Sequence, residues 1–557
     1  MSIAPTLSTQ GSRIVKEQKE SPKVWVVGLD GATFDLLRPW MDEGRLPNLA
    51  RIAAEGVYGL LNSTVPPVTA PAWSSFMTGV NPGKHGVFDF TTQSTHGLTW
   101  VSSQAVQAPK LWGILSQHDK QVGVINVPVT YPAEAVNGYV IPGFLTPQGA
   151  TRFTYPLDLY DEMTRAVGDY VINVKIAGRE KGNKAATRTL VTEIKDAVAR
   201  REAAIHYLLN NHPTDFMMVV FMSLDKIQHV FWKYLDPRSP LYDTPEGVLY
   251  RELTIPCYEQ IDAVVGRLMA RIDEQTTLIL MSDHGFGTLE KYVDLNRWLA
   301  SRGLFRVHRE KVLWRELQRR LGLKNRVMPQ LHGGVATDPT KTTCVDWANT
   351  RAFCSEISGQ GIFINLRGRE PQGIVEPGAE YDQLRDQIIR DLTYWREPGS
   401  DRPIVDRVYK REELYTGNYV NKAPDLLVVM RDYSYLLFNS VRFIGRGYLR
   451  NINDASGFHR REGLFMAWGN QIASGHEVKG SEIIDLAPTI LHLMGLRVPQ
   501  AMDGKVLQTI FATGSAADRP VIYEQAPESI TTDYEKDVYS ADEAEEVRKR
   551  LSDLGYL

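Results

Sequence analysis

Six side chains of metal-ligand type stand out by their surroundings. Three aspartates each follow a short apolar run. Asp30 follows Val24-Trp25-Val26-Val27-Gly28-Leu29, Asp225 follows Phe216 to Leu224, and Asp283 follows Thr277 to Ser282. His229 comes four residues after Asp225, His284 directly after Asp283 in Ser-Asp-His-Gly-Phe-Gly, and His459 closes Ser-Gly-Phe-His. One such aspartate alone is more often a helix cap or half of an ion pair. Carboxylates and imidazoles together are what Zn2+ takes when cysteine is absent. The i, i+4 spacing brings Asp225 and His229 to one side of a helical turn. Three Asp and three His point to a two-metal site. Two metals roughly 4 Å apart suit phosphoryl transfer, one activating a nucleophile and the other neutralising the leaving oxygen.

A nucleophile is offered by Val65-Pro66-Pro67-Val68-Thr69-Ala70-Pro71-Ala72-Trp73-Ser74-Ser75-Phe76-Met77-Thr78-Gly79. Thr69 stands just before an expected helix start, with Pro71 in the first turn. A helix amino terminus gathers free N–H groups and positive potential around a phosphate. Judged by position alone, however, Thr69 reads as an N-cap.

The elements that must hold these groups follow from the apolar pattern. Runs this short suit strands buried on both faces of a parallel sheet. Helical patterns separate them over Leu46–Glu55, Thr192–Asn210 and Tyr258–Asp273. The alternation predicts a doubly wound α/β fold, a mostly parallel sheet flanked by helices, whose ligands bind at the carboxyl ends of the strands. A further strand is expected over Leu464–Trp468, and helices over Ile483–Gly495 and Ala541–Leu554, the last opened by a capping-box pattern at Ser540. The division expected is a disordered tail over 1–20, a catalytic core over 21–299 and 431–525, an inserted cap over 300–430, and an extension over 526–557 with a terminal helix.

Composition narrows the setting. The chain of 557 residues carries 63 Lys+Arg against 66 Asp+Glu, a net charge of −3. No whole-protein field points to a nucleic-acid partner or to an anionic membrane, which leaves only a local patch open. No apolar run approaches the roughly 18 residues of a membrane span, and the amino terminus has no signal-peptide core. Cys257, Cys344 and Cys354 form no CxxC pair, so a reducing, cytoplasmic setting is expected. The oligomeric state is not legible.

The ordered set Gly28-Leu29-Asp30-Gly31, Thr69-Ala70-Pro71 with Thr78-Gly79, Pro82-Gly83-Lys84-His85-Gly86, Asp225 with His229, Ser282-Asp283-His284-Gly285 and the late His459 resembles the alkaline phosphatase superfamily. Within it the chain is most similar to the type I phosphodiesterase/nucleotide pyrophosphatase branch. The resemblance runs over about 24–110, 216–290 and 455–510. It implies two Zn2+, with Mn2+ or Fe as alternatives. Asp30, Thr69, Asp283 and His284 match the ligands of one metal, Thr69 also matching the nucleophile. Asp225, His229 and His459 match the ligands of the other. The implied activity is hydrolysis of phosphodiester or pyrophosphate bonds in a small-molecule phosphate ester, through a phosphothreonine. A phosphomutase, phosphotransferase or phosphomonoesterase could use the same centre, and so could a metal-retaining protein without catalysis.

The chain departs from the branch near Asp89-Phe90, where an Asn usually contacts the phosphoryl oxygen, and at Ala72, where another Asn often stands. The sulfatase nucleophile and the arginine of classical alkaline phosphatases are both missing, which favours diesters. Phe90 and Arg460 are taken as substrate contacts. His85 reads as structural, Lys84 and Arg461 are open between anion contact and surface charge, and Trp73 between aromatic wall and core. The basic stretch Arg302–Arg326 reads as a solvated helix face.

Overall fold

The computed structural model describes residues 21–94, 97–150, 152–175, 184–320, 344–354, 361–437, 447–452, 456–525 and 538–554. The expected tail, part of the basic stretch (321–326) and the start of the C-terminal extension (526–537) lie outside the described residues.

Eight strands form the main sheet: β1 (Lys23–Leu29), β2 (Val57–Asn62), β3 (Val122–Ile125), β4 (Gly138–Ile141), β5 (Phe216–Phe221), β6 (Thr276–Met281), β7 (Glu462–Trp468) and β8 (His476–Glu482). Their order is β8-β2-β7-β6-β1-β5-β3-β4. The block β6-β1-β5-β3-β4 is parallel throughout. β7 runs against both its neighbours, β2 and β6, while β2 and β8 are parallel to each other.

Alternation along β1 explains why both faces are covered. Val24 and Val26 enter one core, with Trp73 and Phe76 of the helix Thr69–Thr78 and Ile490 of the helix Leu486–Leu493. Trp25, Val27 and Leu29 enter the other, with Ile52, Ile205, Ile227 and Ile261 from four further helices. A strand with apolar residues on both faces can only sit between two helical layers. The expected doubly wound α/β architecture is what the chain adopts.

Several boundaries differ from the sequence reading: the helices expected over Thr192–Asn210, Tyr258–Asp273 and Ile483–Gly495 span Lys184–Asn211, Pro245–Met269 and Leu486–Leu493, and the strand before Asp225 is shorter than its apolar run. The run Phe216 to Leu224 reads as one strand ending at Asp225, but β5 ends at Phe221 and a helix spans Ser223–Leu235. Leu224, Ile227 and Phe231 recur at helical spacing and are buried, so apolar character continues across the junction while its period changes. The expected helix over Ala541–Leu554 has those limits.

A second body has its own core, running from Val293 to Leu437. It contains an antiparallel sheet of Ala352–Phe353, Gly361–Ile364, Leu426–Val429 and Arg407–Lys410, packed with the helix Ala379–Thr393. This body touches the main sheet's rim through residues 415–419. The Tyr415 hydroxyl donates to the Val65 carbonyl, the Asn81 amide donates to Thr416 Oγ1 at 3.0 Å, and the Tyr419 N–H donates to the Gly83 carbonyl at 2.9 Å. No helix among the described residues is long and apolar enough to cross a membrane.

Candidate metal centre

Register fixes where the aspartates stand. Leu29 pairs with Phe221 and Gly28 with Met281, so β1, β5 and β6 end at one level. Beyond that level the Asp30 N–H donates to the Phe221 carbonyl at 3.0 Å, and the Asp225 N–H to the Asp30 carbonyl at 3.1 Å. Two glycines of the first motif have steric reasons. A Cβ on Gly28 would meet the Trp73 ring at 2.6 Å. Gly31 has φ +71°, and its N–H donates to Asp283 Oδ1 at 3.3 Å.

The helix Ser223–Leu235 carries Asp225 in its first turn and His229 one turn later. His459 comes from a two-stranded ribbon in which Gly457–Arg460 pairs with Gly285–Thr288, immediately after His284. Side chains from positions 30 to 459 thereby meet at the carboxyl rim.

They meet as two adjoining groups. In one, His229 Nε2, His459 Nε2 and Asp225 Oδ1 make a triangle with sides of 3.2, 3.2 and 3.4 Å. In the other, His284 Nε2 lies 3.3 Å from Asp283 Oδ2, 3.7 Å from Asp30 Oδ1 and 3.3 Å from Thr69 Oγ1. The groups touch: the rings of His284 and His459 stack at 3.5 Å, and ligand atoms of Asp225, His284 and His459 all lie within 4.8 Å of one another. Asp30, Asp283 and His284 satisfy the same limit.

Second contacts fix the tautomers. His459 Nδ1–H donates to the Pro67 carbonyl at 2.9 Å, and His284 Nδ1–H to the Gly285 carbonyl at 3.1 Å. Both imidazoles therefore turn a lone pair on Nε2 into the cluster, as a metal-binding histidine does.

Electrostatically the cluster is incomplete as a purely protein structure. Asp30, Asp225, Asp283, His284 and His459 are all fully buried. Asp30 Oδ1, both Asp225 oxygens and Asp283 Oδ2 have no donor in hydrogen-bonding geometry among the described residues. Burial, then the charges of Asp283 and Asp225, push the Asp30 carboxyl well above its ordinary range. Burial and Asp225 do the same to Asp283. Burial would raise Asp225 too, but the adjoining His229 and His459 outweigh it and hold that carboxyl low. Burial and neighbouring imidazoles push His284 down, and burial lowers His459. Buried carboxylates crowded together without donors are costly unless a cation is bound. An oxygen and nitrogen donor set of this composition fits divalent cations.

Thr69 is the first residue of its helix, with Val68 as the capping residue, so it stands inside the helix rather than just before it. It is fully buried. Trp73, one turn on, donates its indole N–H to Asp30 Oδ2 at 3.1 Å. That role was missed in the sequence, because it depends on the ring lying across Gly28. Lys226, next to Asp225, was also missed. It is buried, donates to Asn173 Oδ1 and, at 2.6 Å, to the Val174 carbonyl, and burial pushes it down to about 7.

Other residues singled out in the sequence sit as follows. Phe90 is buried and edge-on to Phe144 in the core of one face. The Arg460 guanidinium donates to the His459 carbonyl at 2.9 Å and to the Thr288 carbonyl, spanning the ribbon that holds His459. His85 is buried; it accepts from the Val87 N–H at Nδ1 (3.2 Å), which leaves Nε2 to donate to Ser75 Oγ at 2.9 Å. Lys84 pairs with Asp503, and Arg461 donates to the Ser63 carbonyl at 3.2 Å. The three cysteines are buried and form no disulfide with one another.

A family model described as type I phosphodiesterase / nucleotide pyrophosphatase matches residues 24–441. The matched span contains every clustered side chain except His459, which the ribbon geometry brings in. A comparison with curated proteins finds no match.

Proposed function

The chain belongs to the type I phosphodiesterase/nucleotide pyrophosphatase family, hydrolases of the alkaline phosphatase superfamily, and from that premise we propose that the buried cluster is a two-zinc phosphohydrolase centre with Thr69 as nucleophile. The observation that carries this reading is the set of four buried carboxylate oxygens without donors among the described residues, beside the Nε2 lone pairs of His284 and His459.

Asp30, Thr69, Asp283 and His284 would hold one cation, and Asp225, His229 and His459 the other, with zinc favoured by the imidazole share of the ligands. Bound there, the cations would supply Lewis-acid charge to the phosphoryl oxygens and lower the pKa of hydroxyl groups. Thr69 Oγ1 would attack phosphorus; the new O–P bond forms as the bond to the leaving oxygen breaks, giving a phosphothreonine. Water then attacks the same phosphorus and releases Thr69. The first N–H groups of the Thr69–Thr78 helix lack intrahelical acceptors, and the positive end of that helix would favour a phosphoryl group at Thr69. Pro67 and Gly285 carbonyls keep His459 and His284 in the correct tautomer throughout.

Small diesters or pyrophosphates are the proposed substrates, with the missing arginine clamp weighing against monoester dianions. The 300–430 segment is proposed as a cap, supported by the Tyr415–Val65 hydrogen bond two residues from Pro67. Phe90 and Arg460 would act through the walls of the site.

The test combines metal analysis with turnover. The purified protein should hold about two zinc ions per chain. It should hydrolyse bis(p-nitrophenyl) phosphate faster than p-nitrophenyl phosphate, and lose that activity reversibly to a chelator. A full metal complement with no turnover of diester, monoester or mutase substrates would overturn the enzyme reading.

A further inference from the structure

Away from the metal centre, the helix Arg309–Arg320 presents its apolar side outward. Leu313 is 65% exposed, Trp314 61% and Leu317 46%. At 100° per residue these three positions share one side of the helix. Val312 is buried and turns the other way, towards the body. The helix start is fastened there: the His308 N–H donates to the Cys344 carbonyl at 2.8 Å, and His308 Nδ1 lies 3.5 Å from Glu310. The solvated face expected from the sequence fits the exposed Arg309 and Lys311, but not the Leu-Trp-Leu side, where the exposed Glu310 stands one turn before Leu313 and Trp314 at the helix start.

The sequence around this side is strongly basic. Within the helix Arg309–Arg320 the sequence places five cations, Arg309, Lys311, Arg315, Arg319 and Arg320, against Glu310 and Glu316. The surplus is opposite in sign to the chain's net −3. Exposed large apolar residues grouped on one side mark an interaction surface. Nucleic acid would use the cations but not Leu313 and Leu317. An anionic bilayer uses both: headgroup phosphates attract Lys and Arg, and the acyl boundary accepts Trp and Leu.

We infer that the Arg309–Arg320 helix docks this protein on an anionic lipid surface, lying in the interface with Leu313, Trp314 and Leu317 inserted. The inference does not depend on the metal centre, and none of these side chains belongs to it.

The test floats the full-length protein with vesicles of phosphatidylcholine, alone or with phosphatidylglycerol. The wild type should float with the anionic vesicles only and be released by salt. The variant Leu313→Ser/Trp314→Ser/Leu317→Ser should lose at least about tenfold in bound fraction while keeping diesterase turnover. Arg309→Glu/Arg315→Glu should abolish the anionic preference with the apolar trio intact, so the idea stays testable if the triple variant fails to fold. Absence of the wild type from anionic vesicles would overturn it, as would undiminished binding by both variants. A wild-type dimer in sedimentation that the triple variant dissolves would assign the surface to a second copy instead.

Discussion

Two sets of buried aspartates in this protein are treated in opposite ways. Asp425, in the second body, is fully buried and completely served. It accepts from both ends of the Arg369 guanidinium at 2.7 and 2.6 Å, from the Tyr381 hydroxyl at 2.6 Å and from the Ile364 N–H at 2.7 Å, with Arg411 3.2 Å away. Burial would raise its carboxyl, but Arg369 outweighs that and holds it below its ordinary range. Asp30, Asp225 and Asp283 are equally buried, yet among the described residues no Lys or Arg pairs with them and four of their oxygens lack donors. A carboxylate kept for structure brings its counter-charge in the same chain. A carboxylate kept for a cation leaves that place open, and the folded protein carries the strain until the cation arrives.

The largest expected effect lies at the rim. Thr69→Ala removes the proposed nucleophile but no buried charge. Diester turnover should fall by at least about 10³-fold, with the melting temperature nearly unchanged. Turnover near the wild-type rate would remove Thr69 from the mechanism.

Next comes a paired test of the contrast itself, made on metal-free protein by urea denaturation. Asp425→Asn leaves Arg369 half-buried against an uncharged amide and should cost about 3–5 kcal/mol. Asp283→Asn removes one of several crowded carboxyl groups, so it should be neutral or stabilising. It should also weaken zinc binding, read by competition with a chromophoric chelator. If both changes destabilise equally, the rim aspartates are structural like Asp425 and the distinction drawn here fails.

A smaller effect separates orientation from ligation. Trp73→Phe deletes the indole donor to Asp30 Oδ2 while keeping an aromatic ring over Gly28. Losing such a partner behind a ligand should lower metal affinity or turnover by about 10–100-fold. Restoration of turnover by excess zinc would show that the loss is in affinity. An unchanged affinity and rate would mean that Asp30 is held by packing alone.

The same contrast explains what the sequence could and could not reveal. Asp30 and Asp283 were legible because β1 and β6 are short apolar runs with an acid just beyond them, a pattern that only a doubly buried strand produces. His229 was legible from its i, i+4 spacing, and His459 only from its residue type and late position. The Asp225 boundary was misread because Leu224 and Ile227 continue the apolar run into a helix whose period a window this short does not resolve. β3 and β4 are four residues each, and β2 is half exposed, so none carries a strong pattern. Trp73's bond to Asp30 needs the missing Cβ of Gly28, 45 positions away. The Asp425 network joins side chains 44 and 56 positions apart, which no local spacing encodes.

The smallest effect probes how fully Asp425 is served. Tyr381→Phe removes a single neutral donor from Oδ1 and leaves both Arg369 contacts, so it should cost about 1 kcal/mol at neutral pH, with diester turnover unchanged. Its pH dependence follows from the sign of the shift. Asp425 has a depressed carboxyl in the folded state, so its stabilisation is present above the unfolded value of about 4 and is lost as pH falls through the folded value. Tyr381 contributes to that depression by donating to the charged form. The cost of Tyr381→Phe should therefore be largest at neutral pH and shrink as the medium is acidified past that point. A cost that stays constant down to the acid transition would mean that the hydroxyl fills space beside Asp425 without recognising its charge, and that Arg369, Arg411 and the Ile364 N–H distinguish this aspartate from those at the rim.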